Sequence, residues 1–425
     1  MNYITLIMAA ITLVPILFGI ILGLIRGAGR AILRLVLVAV CVVLAFVLCG
    51  VVTDALVSVD ISRFVGGEST ITVVDVIKSM LGESMQDFGP YITPLAQSIV
   101  KIAVFLLLFA LLSFITWVLV FPLLKLIFRG KAKGHRLLGM VFGLVQGVVV
   151  ALCVCIIVNG LVLEVGNIAE MANDAAEMSQ SSNAEGGENA PSALGDVKVM
   201  VDGYRESVFC KVYSTVGDVP FEHVSSVETE DRGRLTLHGQ IEGFGGLVKI
   251  GKEFVKVQDV DFDHFYEEDN VNKLTTIFTN VQNIRDGLSQ EATDTVNGLI
   301  NLLGDKFGVD LNLLSKLQTI NFQKEAEIFQ KLGEYKDKDF ANMTEEQMKD
   351  AAKDIVESLG ESDLLLDMLA GQDDIDLGNS LDDQHLDEIS KMLEETDLSQ
   401  EKKDQLRNIF GLNNNGNNGN EGSEE

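Results

Sequence analysis

Aspartate and histidine are the residues of this 425-residue chain whose types could do chemistry most directly, and their spacing is the first test. Asp259, Asp261 and Asp263 imitate the opening of a calcium-binding loop, in which alternate carboxylates converge on one cation. The imitation stops there, because His264 stands where the sharp turn needs glycine and Asn270 where a bidentate Glu must close the site. Asp373, Asp374 and Asp376 fail in the same way, so both clusters read as solvated acidic turns. His223, His238 and His264 are too widely spaced for a metal pair on one helix face, and no His-Glu-x-x-His, phosphate loop or dinucleotide fingerprint occurs. Cys153 and Cys155, two residues apart in an apolar run, point ~200° apart on a helix and read as small core fillers. The expectation is therefore no catalytic residue, no metal, no cofactor and no enzyme. Ser113, Thr116, Trp117, Gln146 and Asn159 are polar residues set in apolar runs. They can bond neighbouring helices or, if they line a cavity, contact a solute.

The elements that carry these residues are strongly segregated. Residues 1–165 hold 11 Lys or Arg against 7 Asp or Glu, whereas the remainder holds 22 against 54. The first part reads as a membrane domain and the second as an acidic body that repels nucleic acid and anionic head groups. Four apolar runs have spanning length: about 3–25, 35–52, 99–124 and 137–163. The first carries no charge before Arg26 and is too long for a cleaved signal peptide, so it reads as a retained span. Gly89-Pro90 and Pro94 mark a break ahead of the third. Between the second and third, Ile71, Val74, Ile77, Met80 and Leu81 give an amphipathic face expected to cap the bundle.

Glycine recurs every fourth residue in two of the spans, at Gly19, Gly23 and Gly27 and again at Gly139, Gly143 and Gly147. Each set lies on one helix face and makes a side-chain-free seam suited to close helix packing, and the two seams are expected to pair with each other. Two basic connectors follow the first and third spans. Arg26, Arg30 and Arg34 form one, their long side chains expected to snorkel toward head groups; Lys125, Arg129, Lys131, Lys133 and Arg136 form the other. Short basic loops stay cytoplasmic, which puts the N-terminus and everything after the fourth span on the opposite side.

The fold class expected is all-α: a polytopic membrane protein of four transmembrane helices (1–165), a linker (166–192), an acidic, mainly helical extracytoplasmic domain (193–412) and a disordered tail (413–425). In the acidic domain Thr344 to Gln347 has the form of a capping box, Gly360 is the expected stop of the helix that follows, and Ser399 precedes another amphipathic stretch. Only Leu235 to His238 looks strand-like. Cys210 is the one cysteine of this half and hence a natural reporter of sidedness.

At the residues already emphasised, the membrane half resembles the colicin V production protein family. Gly23-Leu24-Ile25-Arg26-Gly27 with Gly29-Arg30 is similar to that family's Gly-x-x-Arg-Gly turn after the first span, and His135-Arg136-Leu137-Leu138-Gly139 with Gly143 and Gly147 to the start of its fourth. The likeness covers about 165 residues and departs at Ile4, Thr5 and Leu6, where the family commonly has an acid. It implies a bacterial cytoplasmic (inner) membrane location and a role in toxin or protein secretion or envelope maintenance. The function expected is a non-catalytic scaffold or accessory protein. The alternatives are a transporter or channel component and a membrane-anchored extracytoplasmic binding module. Expected partners are membrane lipid, a membrane or envelope protein and a second copy of the chain, and not nucleic acid.

Overall fold

The computed structural model describes residues 3–59, 72, 88–123, 136–182, 192–260, 268–307, 320–333, 344–363, 366, 383–410 and 412. Lys125, Arg129, Lys131 and Lys133, the amphipathic face from Ile71 to Leu81, Asp261, Asp263, His264, the aspartates at 373–376, most of the expected linker beyond 182 and the 413–425 tail lie outside these residues. Two compact units divide the chain, Met1–Val248 with Leu288–Leu299 and Lys249–Gly287 with Ile300–Glu425.

Four helices of the first unit are long and apolar enough to cross a membrane. Helix α1 (Tyr3–Arg26) and α2 (Ala28–Val57) are separated by Gly27 alone. Its φ of 77° and ψ of 167° are conformations essentially restricted to glycine. Thus α2 starts seven residues before the expected span, and Arg30 and Arg34 belong to the helix rather than to a connector. Straight-chain arginine is a good helix former, so the helix runs through the basic residues to the apolar run. Helix α3 (Gly89–Ile115) also starts early. Pro90 opens the helix instead of breaking the chain, because its missing N–H would have no partner in a first turn. Pro94 lies inside, where it deprives the Pro90 carbonyl of its intrahelical donor. Arg232 Nη2 supplies that donor at 2.5 Å, its guanidinium 4.4 Å from the Tyr91 ring centre. A π-helical turn (Thr116–Val120) follows α3. Helix α4 (Arg136–Ser182) has 47 residues, ~70 Å at 1.5 Å each, so it continues well past the expected span end at 163 and through the first part of the expected linker.

The first unit extends beyond the apolar helices. Helices α5 (Ser192–Arg205) and α6 (Val208–Ser225) pack on α4, and α6 also reaches α1, α2 and α3. The α6 helix has three faces. Cys210, Tyr213, Gly217, Phe221 and Val224 are buried, Val208, Val212, Val216 and Val219 form an exposed apolar stripe, and Lys211, Asp218 and Glu222 lie on a third side. Cys210, buried against Ser207 and Ser214, is not an accessible reporter.

A two-stranded antiparallel hairpin follows, β1 (Ser226–Thr229) and β2 (Gly233–Thr236), with Thr229 opposite Gly233. The strand signal expected at 235–238 is therefore displaced: β2 ends at Thr236 and helix α7 (Leu237–Val255) starts at once. Gly233, at φ 69°, closes the three-residue turn, and Thr229 Oγ1 accepts from the Arg232 N–H and donates to the Gly233 carbonyl. The wholly helical expectation thus needs this small sheet added.

The second unit is helical: α8 (Glu268–Asp286), the C-terminal part of α9 (Gln290–Phe307), α10 (Phe322–Gly333), α11 (Glu345–Glu361), α12 (Asp383–Glu395) and α13 (Gln400–Ile409). Phe322 is its aromatic hub, with Phe278 at 5.9 Å and Phe254 at 6.2 Å between ring centres. The buried Glu325 is satisfied by Ser362 Oγ and by the Asp363 N–H at 3.1 Å. Val356, Leu366, Leu393, Leu406 and Ile409 form a second core. Gly360 does not stop α11, which continues to Glu361; its bare face lies against Leu398 and Leu406. The capping box is formed in full, Gln347 N–H to Thr344 Oγ1 and Thr344 N–H to Gln347 Oε1 at 3.0 Å. Thr344→Ala should therefore weaken α11 by about 1 kcal/mol, seen as faster amide exchange across Glu345–Glu361 with α1–α4 unaffected.

Candidate functional site

In the first unit α1 and α4 approach closely at the two glycine sets. A methyl group at Gly19 or Gly23 would collide with the carbonyl oxygen of Gly143 or Gly139, and the converse holds at Gly139 and Gly143. At Gly147 it would lie 2.6 Å from the Pro15 carbonyl oxygen, and Gly27 abuts Gly139. All six glycines are buried. Backbone meets backbone along the seam because no side chain intervenes, and both helices gain dispersion contact that a bulkier residue would forbid.

Beside this seam, α2, α3 with its π-turn, and α4 line a partly open cavity of about 390 Å3. The α1–α4 contact places Gly27 level with Gly139, so Arg34 and Gln146, each seven residues on, share one level toward the end where α1 meets α2. Arg34 is buried to 8% exposure, contrary to the snorkelling expectation. Its carbon Cζ stands 4.1 Å from the centre of the Phe121 ring, and its Nε has no hydrogen-bond partner. The reason is positional: with α2 starting at Ala28, Arg34 falls two turns inside the helix on the face that meets Phe121. Further along the cavity, Cys41 Sγ meets Thr116 Oγ1 at 3.1 Å, where the π-turn begins. Ser113 and Gln146 also line it, and Leu106 and Val154 form its apolar far end. Asn159 is not there.

Asn159 belongs to a separate buried network that braces α4 against the α5–α6 pair. Tyr204 donates to Asn159 Oδ1 at 2.7 Å, and Asn159 Nδ2 donates to Ser214 at 3.3 Å. Burial pushes the Tyr204 phenol well above its ordinary range, which keeps it a neutral donor. Thr12 donates to the Met8 carbonyl and so accepts from the Tyr213 hydroxyl at 2.6 Å. Lys101 does not sit free at the head of its span. It donates to the Ser226 carbonyl at 2.6 Å, tying α3 to the hairpin.

A reciprocal pair of caps completes the bracing. Thr236 caps α7, and its own N–H donates to Glu291 of α9 at 2.5 Å; Ser289 caps α9, and its N–H and hydroxyl donate to Glu242 of α7. Gly239 and Gly243 make room for Glu291 and Thr295. Burial raises the Glu291 carboxyl above the usual range. None of these four partners stands out in the sequence, although Ser289 before Gln290-Glu291 is a legible helix start. Across the same region His238 Nδ1 lies 2.8 Å from Glu164, whose carboxylate raises the imidazole's pKa; Glu242 and Glu222 add to the effect. Of the basic residues read from sequence, Arg30 and Arg136 are exposed at the ends of their helices. Among the described residues no group of three or more His, Cys, Asp or Glu could hold a metal ion.

Gly143→Ala should destabilise the bundle by about 1–3 kcal/mol through overpacking, lowering the unfolding temperature in detergent. Gly50→Ala, a helical glycine with nothing within 4 Å of the added methyl, should be neutral or slightly stabilising. Equal losses at both positions would show that the seam has no special role.

Glu164→Gln should return His238 toward the ordinary imidazole value of ~6.5, measured by NMR titration of the ring protons. Since the native pKa is raised, the pair's contribution to stability is complete below that ordinary value and is lost as pH rises through the native one. The variant's stability should vary less across that window than the parent's.

Comparison with protein-family models, with curated proteins and with solved structures finds no match to this chain.

Proposed function

We propose that this chain is a non-catalytic integral membrane protein, a scaffold or accessory subunit in envelope maintenance or in toxin or protein secretion. Its proposed place is the bacterial cytoplasmic membrane, with the N-terminus and the acidic body extracytoplasmic. One observation carries the scaffold reading: several polar side chains of the first unit join its elements to one another. Tyr204, Asn159 and Ser214 join α5, α4 and α6; Thr12 and Tyr213 join α1 and α6; Lys101 joins α3 to the hairpin. A braced platform suits a protein that holds partners in place. The sidedness rests on the basic residues at the α1–α2 junction and before α4. The three-faced α6 fits a place along a membrane boundary on either side, its valine stripe suiting acyl chains and its charged side water. The family likeness at Gly23 to Arg30 and His135 to Gly147 supplies the link to secretion and the envelope. Membrane lipid, an envelope protein and a second copy of the chain are the partners this reading implies.

A second reading, a transporter or channel component, is favoured by the cavity, which brings Ser113, Thr116 and Gln146 together between three helices. The two readings separate in reconstituted vesicles. The scaffold reading expects solute flux and conductance no greater than in protein-free vesicles; a conductance abolished by Ser113→Leu would overturn it. For sidedness, Glu222→Cys places a thiol on the exposed charged side of α6. In intact cells a membrane-impermeant maleimide should label this variant several-fold above the parent. Labelling only after permeabilisation would put α6 in the cytoplasm and reverse the topology.

A further inference from the structure

We propose that the cavity between α2, α3 and α4 binds an anionic amphiphile, its acidic head group against Arg34 and its acyl chain along the apolar interior. The inference goes beyond the scaffold reading and does not depend on it.

Arg34 is buried between helices that are otherwise apolar. A guanidinium cannot shed its proton, so within an apolar bundle it remains a cation and needs a counter-charge or a full set of acceptors. Among the described residues it meets the Phe121 ring at 4.1 Å, and its Nε is left without an acceptor. An aromatic face offsets only part of the cost of desolvating an ion. An acidic head group supplies what is missing, because the guanidinium's planar fork matches a carboxylate or phosphate in two parallel hydrogen bonds. Gln146, at the same level, adds a neutral amide able to donate to that head group.

The rest of the cavity sets the shape of the ligand. Its volume of about 390 Å3 falls within the ~300–1,000 Å3 of small-molecule sites. Beyond Arg34 its walls pass from Cys41 and Thr116, already bonded to each other, to Leu106 and Val154. A small inorganic anion would leave that apolar length unfilled, whereas a chain attached to the head group fills it. Polarity at one end and hydrocarbon at the other is the pattern of a fatty acid or of one chain of an anionic phospholipid. The π-turn at Thr116–Val120, a feature frequent at functional sites, lies on this wall.

Trp117 is the only tryptophan in the chain and lines the cavity, so it reports occupancy directly. The full-length protein, purified in neutral detergent, would be titrated with dibromostearate, whose bromines quench indole fluorescence on contact, and in parallel with its uncharged methyl ester. Saturable quenching by the acid, with at least a tenfold weaker midpoint for the ester and for Arg34→Gln, is the expected result. Phosphatidylglycerol should reverse the quenching if the natural head group is a lipid phosphate, and stearate alone if it is a carboxylate; either supports the proposal. Reversal by inorganic phosphate would reduce the site to an ion site and overturn it. Equal quenching by acid and ester would also overturn it, since that is partition into the micelle. Should Arg34→Gln fail to fold, Val150→Phe keeps the cation and fills the cavity, and must likewise weaken quenching tenfold; undiminished quenching in a folded Val150→Phe protein sinks the proposal.

Discussion

The contact between α1 and α4 through Gly19, Gly23, Gly139 and Gly143 sets the terms for the rest of the first unit. Between helices in lipid there is no hydrophobic driving force, since acyl chains are as apolar as leucine, and association depends on close packing and hydrogen bonds. Glycine lets the two backbones approach as closely as their carbonyls allow. That approach fixes the relative height of the two helices, because the carbonyls of one fit between the glycines of the other. With height fixed, Thr12 is brought to Cys155 and Tyr213, and Gly27 to Gly139. The one-residue reversal at Gly27 then ties α2 to the same level.

Polar groups act as secondary constraints on this frame. A buried hydroxyl or amide left unsatisfied costs about 1–3 kcal/mol, so each one that finds a partner specifies an arrangement more strongly than it stabilises it. Asn159 is the clearest case, held by Tyr204 on α5 and holding Ser214 on α6. The Pro90 carbonyl is another, orphaned by Pro94 and recovered by Arg232 from the hairpin turn. Through such contacts α5, α6 and the hairpin become part of the same unit as the apolar helices, although their sequence is polar.

Among the described residues of the first unit, Ser225 Oγ, Gln240 Oε1 and Arg34 Nε are buried without a hydrogen-bond partner, and the charged one is Arg34. It is the one buried arginine among the described residues, set beside an aromatic ring and a cavity. Residues that break the local rule of satisfaction tend to mark function, and here the exception lies where three helices leave space between them. The scaffold reading and the proposed amphiphile site are compatible, because a bound lipid can itself be part of what holds a membrane assembly together.

Four apolar helices, the fourfold spacing of the glycines, the Thr344 capping box and the Ser399 helix start were legible in the sequence, because each depends on residues within a turn or two of one another. The same locality explains the misreadings. Apolar runs were counted as spans, whereas helices continue through any good former, so α2 absorbed Arg30 and Arg34 and α4 ran on to Ser182. Pro90 reads locally as a break, although it opens α3, because its role depends on the turn that follows it. Only the tertiary structure decided that Arg34 is buried, that Ser113, Thr116 and Gln146 share a cavity while Asn159 does not, and that Thr236 and Ser289 each cap one helix while bonded to a glutamate of the other. Each of these joins residues on different elements, many of them tens of positions or more apart. No local period or composition encodes which of many compatible faces will be pressed together.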